Sequence, residues 1–141
     1  MDLDWGQVWF NLWHLGLAYV VALPVAFDRE ASSRSAGIRT FPLVAVAACG
    51  YMLVGYGVLD STDAEARVLQ GLITGIGFIG GGAILKSKGD VRGTATAASI
   101  WTTGLIGIAV ASERLEIALL LSAITFTTLR VGRHLKSEDD A

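Results

Sequence analysis

The sequence has 141 residues, of which 52% are hydrophobic and 17% charged, with a mean hydropathy of +0.54. Soluble domains carry about 25% charged residues, so a chain this apolar has too little polar surface to cover a water-facing fold. A formal net charge of −2 without a basic tract excludes nucleic acid as a partner, because phosphate binding needs a concentrated positive face.

The first apolar run covers residues 8–27. Trp5, Trp9 and Trp13 recur every four residues at its outer end and read as an interfacial aromatic anchor rather than a ligand-stacking face. Asn11 and His14 are polar groups within the run and should point inward. Pro24 is expected to kink the helix. Asp2 and Asp4 replace the basic segment of a cleaved leader, so the run is expected to remain in the membrane. It ends in Asp28-Arg29-Glu30, the start of the densest charge group in the chain. Two readings of that group stand: a solvated helix pair between Glu30 and Arg34, four residues apart, or a hard-cation site for Mg²⁺ on Asp28 and Glu30.

The second run, 41–59, opens at Pro42, which a first helical turn tolerates. It holds Cys49, the single cysteine, which rules out an internal disulfide and a cysteine metal cluster and leaves a small packing residue. The third run, 68–85, is rich in glycine. Gly75-Ile76-Gly77-Phe78-Ile79-Gly80 matches the dinucleotide fingerprint GxGxxG, but no strand precedes it and no acidic residue follows at the required distance. A P-loop match from Gly80 to Ser87 fails at Leu85, where glycine should precede the lysine. The glycines fit helix packing better: Gly71 with Gly75, and Gly77 with Gly81, are small-xxx-small pairs. Gly80, Gly81 and Gly82 are also a place where the helix can end or unwind. Gln70 and Thr74, four apart, share a face of this run, and Thr96, Ser99 and Thr103 share one in the fourth run, 95–111. The fifth run covers 115–131, and Ser137 to Ala141 read as a short solvated end.

Each run approaches the length needed to cross a hydrocarbon core of about 30 Å, and a helix is the conformation that satisfies its backbone there. The expected fold is one all-α domain over 1–141, a polytopic transmembrane bundle of about five helices. Nine of the eleven Lys and Arg residues fall in the first link (Arg29, Arg34, Arg39), the third link (Lys86, Lys88, Arg92) and the tail (Arg130, Arg133, Lys136), leaving Arg67 and Arg114 on the other side. The positive-inside rule then puts the N-terminus outside and the C-terminus in the cytoplasm. No catalytic constellation is present, and enzyme activity is not expected.

Three segments resemble the MgtC/SapB membrane protein family. Asp28-Arg29-Glu30 with Ala36-Gly37-Ile38-Arg39-Thr40 is similar to its "ERE…AGLRT". Residues 74–85 are similar to "SGIGFLGAGxIL", and Val91-Arg92-Gly93-Thr94-Ala95-Thr96-Ala97-Ala98-Ser99-Ile100-Trp101 to "VRGLTTAASLW". Asp28 stands where glutamate is usual, Ala95 where threonine is common, and Gln70 one position before the family's glutamine. The chain stops soon after the fifth run, so the soluble C-terminal domain of many members is not expected in it. The resemblance implies an inner-membrane protein of bacteria or archaea, linked to adaptation to low magnesium and to survival in host cells. It implies action on membrane partners such as the F-type ATP synthase rather than carriage of Mg²⁺. On that reading Asp28, Arg29, Glu30, Arg39, Thr40 and Arg92 form a functional cytoplasmic face, supported by the glycine-rich third helix, in a homo-oligomer. The alternative is a small oligomeric transporter or channel for Mg²⁺ or another cation, with Asp28 or Glu30 at the ion site.

Overall fold

The computed structural model describes residues 3–32, 36–87 and 90–139. Arg34 and Lys88 of the charge count, and Asp2, Asp140 and Ala141, lie outside these. Among the described residues five helices follow in order: α1 (Trp5–Ser32), α2 (Phe41–Val58), α3 (Thr62–Gly82), α4 (Thr94–Ala111) and α5 (Leu115–Asp139). Between α3 and α4 a two-stranded antiparallel hairpin pairs β1 (Leu85–Ser87) with β2 (Asp90–Arg92), Lys86 opposite Val91. The bundle is all-α as expected, and this hairpin is an addition to it.

The helices α2 and α4 follow the apolar runs to within a residue, whereas α1 and α5 continue past them into polar sequence, since extending a formed helix is favourable. Residues 132–139, expected in part as a solvated end, are the last turns of α5. The helix α1 is continuous through Pro24. The third helix starts six residues before its apolar run and stops three residues before the run ends. Ser61 caps it, its Oγ accepting from the Ala64 N–H at 3.2 Å, and Asp63 and Glu65 occupy the first turn, where the helix dipole favours negative charge. At the other end α3 holds through Gly80 and Gly81 and stops at Gly82, after which residues 85–87 enter the hairpin.

Four helices, α1, α2, α4 and α5, are long and apolar enough to cross a bilayer, and the chain is a multi-pass membrane protein. The third falls short in composition because Asp63, Glu65, Arg67 and Gln70 fill its first half, although its 21 residues reach about 31 Å. It still runs beside α2 and α4 across the bundle. Val68 lies over Gly55 near one end, and Gly80 lies against Ala97 near the other.

The core is centred on α4, which packs against all four other helices and buries Thr96, Ser99, Ile100, Thr103 and Ile106. Its backbone meets α2 at Gly107, where a Cβ would run into the Ala45 carbonyl. Ile76 of α3 fills the space over Gly104. The first and last helices lie parallel and touch at Ser122, whose Oγ donates to the Val21 carbonyl at 2.7 Å. Ser122→Ala should lower stability in detergent by about 0.6–1 kcal/mol, the usual worth of such a bond in a membrane bundle. A thermal unfolding series checks this.

Successive helices run in opposite directions, so one end of the bundle collects the C-termini of α1, α3 and α5, the N-termini of α2 and α4, and the hairpin. At the opposite end the Tyr56 hydroxyl and Ser112 Oγ are hydrogen-bonded at 2.8 Å, and Arg114 pairs with Glu116 at 2.5 Å. The outward surface is apolar, with Trp5, Trp9 and Trp13 in an exposed file and Phe78 84% exposed.

Candidate functional site at the arginine-rich end

Where α1 leaves the bundle, alternate residues face different surroundings because i and i+2 lie on different sides of a helix. Asp28 turns inward and its carboxylate is fully buried. Arg133, one turn before the last polar residues of α5, reaches back to donate to Asp28 Oδ1. Arg29, also buried, brings Nε to 3.9 Å from Asp28 Oδ2, within ion-pair range but too long for a hydrogen bond. One buried carboxylate therefore serves two guanidinium groups, and Oδ2 and the Arg29 Nε have no hydrogen-bond partner among the described residues. Ser32 completes the turn, its Oγ donating to the Asp28 carbonyl at 2.6 Å.

Glu30 faces the other way. Its Oε2 accepts from the Ile38 N–H at 2.9 Å, and Gly37 lies so close to it that any side chain there would overlap the carboxylate. The Thr40 N–H donates to the Gly37 carbonyl at 2.9 Å, closing a turn that hands the chain to the buried pair Phe41 and Pro42 at the start of α2. The two halves of the first motif are thus clasped together: Glu30 holds the backbone of Ala36 to Thr40, and Arg39 projects outward beside it. Among the described residues Arg39 has no ion-pair partner. Arg92, at the end of β2, is exposed and engaged, and the following Gly93 has φ +88°, the left-handed region, with a Cβ excluded by the Ala83 carbonyl.

The structure gathers Asp28, Arg29, Glu30, Arg39, Thr40 and Arg92 at one end of the bundle, and adds Arg133, which sequence reasoning counted only as a positive charge. Asp28 and Glu30, offered together as Mg²⁺ ligands, are held by different partners, Arg133 and the Ile38 N–H. Among the described residues no group of three or more His, Cys, Asp or Glu side chains is placed to hold a metal ion.

The remaining polar residues lie elsewhere. His14 is buried, with Nδ1 2.8 Å from the Phe10 carbonyl and its ring tilted against Phe10. Asn11 borders a small recess with Tyr56 and Ser112 at the opposite end. Thr74 donates to the Gln70 carbonyl at 2.8 Å, both residues exposed on α3. Ser99 and Thr103 donate to the carbonyls of Ala95 and Ser99 at 2.7 Å each, and Thr96 is buried with them. Of the glycines in α3, Gly80 touches α4, 3.2 Å from the Ala97 carbonyl at its Cβ position, and Gly77 lies near the Trp101 ring. Gly71, Gly75 and Gly81 have open space around theirs. Gly71 and Gly75 belong to a groove of about 1150 Å³ between α2 and α3, which opens at Glu30, Arg39 and Thr40 and ends at Arg67.

The family model described as "MgtC family" matches residues 15–138, which contain every element of this end of the bundle. The chain belongs to the MgtC family. Among its relatives, the "Putative magnesium transporter YhiD" of Escherichia coli K12 is 31% identical over 126 residues, covering 84% of this chain and 59% of that protein. "Protein SrpB" of Synechococcus elongatus is 31% identical, with 94% of this chain and 79% of that protein covered. "Protein MgtC" of Brucella abortus is 34% identical over 106 residues, 72% of this chain and 44% of that protein. The chain thus spans about three fifths of the length of the Escherichia coli relative. No solved structure matches. The matched residues include Glu30, Gly37 and Gly93, which fix the backbone at this end of the bundle.

Proposed function

We propose that this MgtC-family protein is a non-enzymatic regulator in the cytoplasmic membrane of a bacterium or archaeon, acting on other membrane proteins under low magnesium. Its arginine-rich end faces the cytoplasm: it gathers most of the basic residues, while at the other end Arg114 is already matched by Glu116. The observation that carries the reading is the state of Asp28. A cation site needs carboxylate oxygens free to coordinate and a site charge that attracts the ion. Here the buried carboxylate is bonded to Arg133 and flanked by Arg29, and both guanidinium groups repel a divalent cation. What this end presents outward, Glu30, Arg39 and Arg92, is a mixed-charge rim of the kind that sets specificity in protein contacts.

The second reading, cation transport, draws on the name of the Escherichia coli relative and on the groove that opens beside Glu30. Mg²⁺ flux into proteoliposomes separates the two. The regulator reading expects flux no greater than in empty vesicles, both for the wild type and for Asp28→Asn with Glu30→Gln, together with co-purification of a membrane partner that Arg92→Gln weakens. The F-type ATP synthase, which the family resemblance suggests, is the partner to test first. Flux in the wild type that the double substitution abolishes overturns the regulator reading.

A further inference from the structure

The groove between α2 and α3 has no role in that reading, and its shape and charge are specific. It is lined on α2 from Leu43 to Tyr51 and on α3 from Ile79 to Arg67, the longer α3 wall measuring about 18 Å at the helical rise. An acyl chain of one leaflet spans about half of a hydrocarbon core of about 30 Å and fits within this length. Along this length the lining is aliphatic and aromatic, and Gly71 and Gly75 leave the floor open, with nothing within 4 Å of where their Cβ atoms would be. The mouth, at the arginine-rich end, is different. It carries one acid and one base: Glu30, whose Oε2 is anchored to the Ile38 N–H, and Arg39, exposed and with no ion-pair partner among the described residues. An ionised carboxylate has about four acceptor sites, so the backbone bond leaves Glu30 able to receive a further donor. The Thr40 hydroxyl lies beside them.

We propose that this groove is a binding site for a zwitterionic aminophospholipid of the adjoining leaflet. The acyl chain lies along Gly71 and Gly75, the phosphate sits on Arg39, and the primary ammonium donates to Glu30. The mixed mouth selects the headgroup. An anionic headgroup such as phosphatidylglycerol offers Glu30 only neutral hydroxyl donors and adds a like charge, and a quaternary ammonium has no N–H to give. Arg67 ends the apolar trough at its deep end.

The test is native mass spectrometry on the full chain in mild detergent after incubation with vesicles of phosphatidylethanolamine, phosphatidylglycerol or phosphatidylcholine. The wild type should retain phosphatidylethanolamine about tenfold better than either of the others, the effect of one charge-assisted hydrogen bond. Glu30→Gln should bring phosphatidylethanolamine down to the level of phosphatidylglycerol, and Arg39→Gln should weaken all three. Gly75→Leu, whose Cβ has nothing within 4 Å, places its branched end in the floor and should remove bound lipid altogether. Gly71→Leu, one turn away, repeats that arm should the first variant misfold. Equal retention of the three lipids, or retention unaffected by Gly75→Leu and Gly71→Leu, overturns the proposal. So does a wild type that binds no lipid and forms a dimer split by those variants, because the groove is then a contact between two copies of this chain.

Discussion

Asp28→Ala should destabilise the folded bundle by about 3–5 kcal/mol, the range found when one partner of a buried ion pair is removed. The substitution deletes the only carboxylate that Arg29 and Arg133 share among the described residues and leaves Arg29 as an uncompensated buried charge. Arg133→Ala should cost less, because Arg133 is partly exposed and its removal still leaves Asp28 beside Arg29. Thermal unfolding of the two single variants and the double variant measures the coupling. If the double variant is no more damaged than Asp28→Ala alone, the pair acts as one unit. If the losses add, the assignment of Arg133 as the partner of Asp28 is wrong.

Gly107→Leu should be comparably damaging, about 3 kcal/mol or more, through overpacking rather than charge. At Gly107 the backbones of α2 and α4 approach so closely that even a methyl group would overlap the Ala45 carbonyl, and Ala48 closes the remaining space. Neither atom lies at the end of a flexible side chain, so the two helices must separate to admit the new residue. Gly71→Ala is the matched control. It adds a methyl group to open space and removes a residue of low helix propensity, so stability should hold or rise by up to about 1 kcal/mol. Unfolding temperatures of the two variants in one detergent decide the matter: similar losses would mean that α3 is packed at Gly71 as tightly as α4 is at Gly107.

These contrasts mark where sequence reasoning ends. Hydropathy located α1, α2, α4 and α5 because a membrane span must be apolar along its length, and α3 through its apolar second half, and the charge alternation matched the end of the bundle at which each link lies. Asp28, Glu30, Arg39 and Arg92 could be grouped because helix ends and links are short-range features. The pairing of Asp28 with Arg133 was not legible, since 105 residues separate them and nothing local marks which basic residue on α5 faces α1. The packing glycines were equally hidden. The helix α4 has its own small-residue spacing in Thr103, Gly107 and Ala111, as α3 has in Gly71 and Gly75. Which set meets a neighbour within the protomer depends on α4 being the central helix, a property of the whole bundle. The hairpin escaped notice because each strand has three residues, too few to show an alternating pattern, and Leu85 extended the preceding apolar run.

The joining of α1 to α5 through Ser122 and Arg133 also constrains the order of assembly. A nascent chain delivers α1 to the bilayer long before α5 is synthesised. Until then Asp28 has only its neighbour Arg29 to offset its charge, and a carboxylate drawn into hydrocarbon is costly. The base of α1 must therefore stay near the lipid headgroups, with Asp28 hydrated, while α2 to α4 insert. The arrival of α5 supplies Arg133 and lets that turn of α1 dehydrate, so the insertion of α5 is also the step that locks α1 in place.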